Sequence, residues 1–241
     1  MTRTDIPDPV LWRVTTSTHD WGTGDYLARL FSLWREAGLT GPPDWAMGHD
    51  DKLRRITPDK DILATMLALP RRRGELSAMG GGSAPHPWQA SLMLSRFDPD
   101  LGRNDAYNIV NLQVPRAVCQ ALSTRRLLDL FERAHGPDDT EFAGLHPKAH
   151  WTHLQADVFV PALTIGPKFA GLYWADFLGP GTLERFPRKA IDSLDVARRR
   201  WHGRRGVSLA MTDDLATADT PETERRLAAM TNALRGAMKA T

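Results

Sequence analysis

The chain has 241 residues, 41% hydrophobic and 25% charged, with 31 Lys and Arg against 29 Asp and Glu for a formal net charge of +2. Such a chain buries a real core and carries no global field that would draw it to nucleic acid or a membrane surface. The lone Cys119 cannot form an internal disulfide, which favours a reducing compartment, and Met1 to Pro9 lacks the apolar stretch of a signal peptide. No later run approaches a membrane span, so the expectation is a cytoplasmic protein.

Leu11 to Ser17 is β-branched and alternates at Trp12 and Val14, which predicts a first strand. Thr23 then caps a helix from about Gly24 to Ala37, with Leu27, Leu30, Phe31 and Trp34 on one face and Gly38 as its stop. Gly41 to Asp51 reads as a loop. A second helix is expected to begin at Thr57 as N-cap with Pro58 at the first position, to bury Ile62, Leu63, Met66 and Leu67, and to end before Pro70. Gly80-Gly81-Gly82-Ser83 reads as a flexible connection, because no Lys-Ser or Lys-Thr follows to make it a phosphate loop.

Trp88 to Phe97 and Tyr107 to Val114 alternate apolar and polar residues and predict an antiparallel pair with one solvated face. Asp98, Asp100, Asn104 and Asp105 fill the loop between them. Pro115 opens a helical region that Ser123 re-caps, ending at Gly136-Pro137, and Asp138, Asp139 and Glu141 form an acidic loop. The pattern of Phe142 to Val160 leaves its secondary structure open. Phe169 to Leu178 is apolar on both parities and predicts a central, twice-covered strand, stopped by Gly179-Pro180-Gly181, with Thr182 capping a short helix. Asp176 stands among its aromatics and requires a hydrogen-bond partner if buried.

Pro187 to Arg205 holds eight basic residues with His202 counted, around an apolar stripe of Ile191, Leu194, Ala197 and Trp201. A short strand at Val207 to Met211, the acidic pair Asp213-Asp214 and a last helix from Thr220 and Pro221 complete the chain. Helices alternating with short strands and hairpins argue for an α+β fold around one mainly antiparallel sheet, as a single domain over residues 1–241.

Three groups of residues carry chemistry worth weighing. His146, His150 and His153 resemble a zinc set for a metal-dependent hydrolase. Pro147 breaks the regularity, however, and no His-Glu-x-x-His pattern supplies a general base, so structural histidines are the simpler reading. Cys119 lies among Val118, Ala121 and Leu122, the setting of a small buried thiol rather than a nucleophile. Arg188 to Arg205 with Trp201 interleaved has the composition of a nucleic-acid surface, but a near-neutral net charge argues against direct nucleic-acid binding.

Gly171-Leu172-Tyr173-Trp174-Ala175-Asp176-Phe177-Leu178-Gly179-Pro180 resembles a strand-to-helix motif of bacterial immunity proteins from polymorphic-toxin and type VI secretion systems. Trp88 to Leu92 with Asn108 to Pro115 is similar to the central hairpin of that group, and the helix holding Leu33-Trp34 and the closing strand and helix also fit. The branch most similar is paired with restriction-endonuclease-like toxins. The resemblance implies a non-enzymatic α+β protein without cofactor or metal, which binds and blocks a cognate toxin, in that branch a nuclease domain. Such inhibitors present acidic surface, whereas this chain has a sequence pI of about 8.8. Its acidic loop residues Asp98, Asp100 and Asp105, and Asp213 and Asp214, are the expected toxin-binding groups, provided that the two loops converge at one end of the sheet.

Overall fold

The computed structural model describes residues 5–16, 25–72, 75–94, 108–135, 140–147 and 171–238. The strand expected near Leu11 is β1 (Pro9–Thr16), paired on one side with β6 (Asn108–Pro115) and on the other with β7 (Phe142–Pro147). Outward from β6 run β5 (Trp88–Leu94), β4 (Leu76–Gly82), β2 (Trp45–Met47) and β3 (Arg54–Arg55). Outward from β7 run β8 (Ala175–Leu178), β10 (Val207–Ala210) and β9 (Arg198–Trp201). Every neighbouring pair is antiparallel, so the described residues form one large antiparallel sheet with helices packed on it, an α+β single domain.

Side-chain alternation decides what each face carries. The row Ala46, Gly80, Ala90, Leu112, Trp12 and Leu145 looks toward the first helical layer. That layer is built from α1 (Asp25–Glu36), α2 (Ile62–Leu67) and α4 (Thr124–His135), with α3 (Arg116–Ala121) leading into α4. Trp12 is its hub, edge-on to Trp34 of α1 at 5.8 Å and tilted against Phe131 of α4 at 5.3 Å. Its indole N–H donates to His135 Nε2 at 2.8 Å, and burial lowers the His135 pKa from 6.5 to about 3.

The opposite row runs Met79, Ser91, Asn111, Arg13, Gly144, Asp176 and Leu209. Its middle is polar: Arg13 Nε donates to Asn111 Oδ1 at 2.8 Å, and Asn111 Nδ2 donates to Ser91 Oγ at 3.0 Å. Near β9 this face is covered by α6 (Arg188–Asp192) and α7 (Pro221–Ala237). A short α5 (Pro180–Leu183) follows β8. Arg116 ties Asp8 at 3.0 Å and Asp219 at 2.5 Å, fastening the start of β1 to the approach to α7. Among the described residues no helix is long and apolar enough to cross a membrane.

Several expectations are corrected. Gly80-Gly81-Gly82 is not a flexible connection but the buried end of β4. A Cβ at Gly80 would lie 2.5 Å from Ile62 Cδ1, and one at Gly81 2.9 Å from Trp45 Cζ2, so glycine is there to let α2 and two tryptophans approach the strand. The second helix starts at Asp61, whose side chain accepts the Ala64 N–H at 3.1 Å, while Thr57 and Pro58 belong to the turn before it. Thr182 lies inside α5, whose N-cap is Gly179, and its hydroxyl donates to the Glu141 carbonyl at 2.8 Å. The Ile191-to-Trp201 stripe is shared between two elements: α6 ends at Asp192 and Arg198–Trp201 is an edge strand. The strand predicted over Phe169 to Leu178 is confined to Ala175–Leu178, residues 169 and 170 lying outside the described ones. It is covered on both faces as expected, but β1 and β6 take the centre of the sheet.

Candidate functional site

The segment ahead of β8 explains why the strand is short. Three consecutive buried N–H groups are satisfied by side chains rather than by a neighbouring strand. Leu172 N–H donates to Thr231 Oγ1 of α7 at 3.0 Å, Tyr173 N–H to Asp176 Oδ2 at 2.9 Å, and Trp174 N–H to His146 Nδ1 of β7 at 2.8 Å. Gly144, between Arg13 and Asp176 in the row, makes room for the Tyr173 ring, since a Cβ there would stand 2.6 Å from Tyr173 Cδ2. Burial raises the Asp176 pKa well above 3.8, only partly opposed by the Tyr173 N–H, and Oδ1 has no hydrogen-bond partner among the described residues. Burial likewise lowers the Arg13 pKa to about 10. Asp176 and His146 thus act as acceptors that shape the backbone.

His146 is fully buried on β7, while His150 and His153 lie outside the described residues. Among the described residues no group of three or more His, Cys, Asp and Glu is arranged to hold a metal ion. Cys119 is a buried free thiol whose pKa is raised to about 12 by burial, in keeping with an inert packing role.

Of the expected toxin-binding residues, Asp98, Asp100 and Asp105 lie outside the described residues. Their flanking strands end at Leu94 and resume at Asn108, level with Phe142, Leu178 and Val207 across the sheet. Asp213 and Asp214 follow Ala210, at the other end of β10. The two acidic loops are therefore anchored at opposite ends of the sheet and do not spring from one end. Asp214 also has a fold role, its side chain accepting the Ala216 N–H at 2.9 Å ahead of a 3-10 turn at Leu215–Thr217. Asp213 is exposed.

The basic stretch is largely occupied within the molecule. Arg198 reaches Asp129 at 2.7 Å and Glu132 at 2.8 Å, and Arg200 reaches Glu132 at 2.8 Å. Arg188 stacks on the Trp201 ring at 4.2 Å and pairs with Asp192 at 3.5 Å, leaving Arg204 and Arg205 exposed. Sequence patterning concealed the acceptor. Glu132 lies within the apolar run of α4 and is nearly buried, yet it takes two arginines from β9.

That ion-paired corner closes one end of a groove of about 800 Å³ between α1 and α4. Leu33 of α1 and Ala37 just beyond its end meet Leu122 and Leu130 in the groove lining. Glu36 stands on the α1 side and Arg126 and Arg133 on the α4 side, with Arg200 and His202 at the β9 end. His202 Nε2 lies 2.8 Å from Ser208 Oγ, and its pKa is lowered by burial against the opposing pull of Glu132. The only sequence signal for this groove is the pair Arg126 and Arg133, two helical turns apart around Leu130.

No protein-family model matches the sequence, and no curated protein matches it. Among solved structures, the Pseudomonas aeruginosa T6SS protein PA0821 superposes with a TM-score of 0.61 at 15% identity, over 96% of this chain and 75% of that one. Nearly the whole of this chain therefore shares the fold of that T6SS protein.

Proposed function

We propose that the chain is an immunity protein of a type VI secretion or polymorphic-toxin system, neutralising a cognate toxin by stoichiometric binding in the cytoplasm and catalysing nothing itself. The observation that carries this reading is the fold shared with a T6SS protein over 96% of the chain. It is supported by the Gly171-to-Pro180 segment, which reads as an immunity-protein motif and whose Tyr173, Trp174 and Phe177 are buried in the structure. A single domain whose buried His146 and Asp176 hold the backbone ahead of β8 suits a rigid binding surface.

The partner in this reading is a toxin domain, with a nuclease as the candidate activity. Asp213, and with it Asp98, Asp100 and Asp105, remain candidate contacts for a basic toxin surface, as two separate acidic sites. Co-expression tests the reading. The product of the reading frame adjacent to this gene should arrest growth when expressed alone and should be tolerated when this chain is co-expressed. Arrest that persists despite soluble expression of both chains contradicts it.

A further inference from the structure

The groove between α1 and α4 combines an apolar lining with two arginines that have no ion-pair partner among the described residues. Leu33, Leu122 and Leu130 line it with exposures of 8%, 9% and 7%, so they are covered by the fold except where they face the groove. Arg126 and Arg133 on its α4 side are exposed, and neither has an ion-pair partner among the described residues. The nearby carboxylates are engaged elsewhere: Asp129 pairs with Arg198, Glu132 with Arg198 and Arg200, and Glu36 accepts from Ser32 on its own helix at 2.8 Å.

We propose that this groove docks an acidic segment of the toxin, its apolar anchor on Leu33, Leu122 and Leu130 and its carboxylates on Arg126 and Arg133. The proposal rests on the immunity reading and gives it a surface. Two helical turns separate the guanidinium-bearing residues, about 10 Å along the axis. Carboxylates seven residues apart on a helix span that distance and share one face, whereas on an extended strand residues three apart point to opposite faces. A single small carboxylate ligand does not. Arginine binds carboxylate bidentately, and its removal from water beside an apolar anchor strengthens the pair. On the other side of the groove Glu36 disfavours a second acidic row, which fixes the orientation of the segment.

The test pairs the purified full chain with the toxin domain and compares the wild type with R126E/R133E by calorimetry. The double reversal should weaken binding by about 100-fold or more through like-charge repulsion, while the melting temperature falls only slightly, because both side chains are exposed and neither has an ion-pair partner among the described residues. Equal affinity of the wild type and the variant overturns the groove as the docking site and leaves the immunity reading standing. If the wild type forms no complex, that reading fails. The groove is then decided by two fluorescein-labelled helix-forming peptides with leucine anchors, one with glutamates seven residues apart and one with lysines in their place. Binding of the glutamate peptide alone, lost in R126E/R133E, supports an acidic-segment groove. Equal binding of both peptides, or of neither, overturns it.

Discussion

The Trp174 backbone N–H donates to Nδ1 of His146 at 2.8 Å, joining the entrance of β8 to a side chain of β7. This bond accounts for a buried histidine without invoking a metal, because the ring nitrogen facing Trp174 is an acceptor held by the backbone. His146→Ala should destabilise the protein by about 2–4 kcal/mol, the sum of an orphaned buried N–H and a cavity. Chemical denaturation measures the loss. The same reading predicts that the purified protein holds no stoichiometric zinc and that dialysis against a chelator leaves its melting temperature unchanged. Zinc retained at one equivalent, and lost in the variant, would point to the hydrolase reading of His146, His150 and His153.

His135 and Asp176 impose opposite pH dependences. His135 titrates near 3 in the folded protein against an ordinary 6.5, so the unfolded chain takes up a proton that the folded one refuses. Its stabilisation is complete above 6.5 and is lost as pH falls toward 3, at about 1.4 kcal/mol per pH unit. Asp176 is raised well above 3.8, so its contribution is complete below 3.8 and is lost as pH rises through the raised value. His135→Gln, which can still accept the Trp12 N–H, should flatten the acid limb of the stability curve. Asp176→Asn should flatten the limb at higher pH. Melting curves of the three proteins between about pH 4 and pH 8 decide it, and parallel curves would refute both assignments.

Gly81 distinguishes a strand from a linker by the sign of one measurement. In a flexible connection, Gly→Ala stabilises by roughly 0.4–1 kcal/mol through the unfolded chain. In β4 the new methyl meets the Trp88 carbonyl and stands 2.9 Å from Trp45 Cζ2, which should cost about 1–3 kcal/mol. A more stable Gly81→Ala would undo the packing described for the β2–β4–β5 corner.

The legible parts of this fold were those where local pattern and tertiary role agree. β1, the β5–β6 pair and α7 with its Thr220 cap followed from alternation and cap chemistry. Three glycines in a row look flexible because sequence does not show the tryptophans and the α2 side chains that need their missing Cβ atoms. The pairing of Arg198 and Arg200 is illegible in the sequence because their partners Asp129 and Glu132 stand 66 or more residues earlier. Apart from the spacing of Arg126 and Arg133, the groove was illegible for the same reason. Its lining is assembled from α1, α4 and the β9 edge, and only the fold brings these together.

Titration of the toxin's activity with increasing amounts of this chain tests the central claim most directly. An immunity protein that acts by binding should abolish the activity linearly, with a sharp endpoint at one chain per toxin and an unmodified toxin recoverable after dissociation. Loss of activity at a small fraction of an equivalent, with covalent change in the toxin or its substrate, would show an enzyme. Full toxin activity in a several-fold excess of the chain would contradict the account outright.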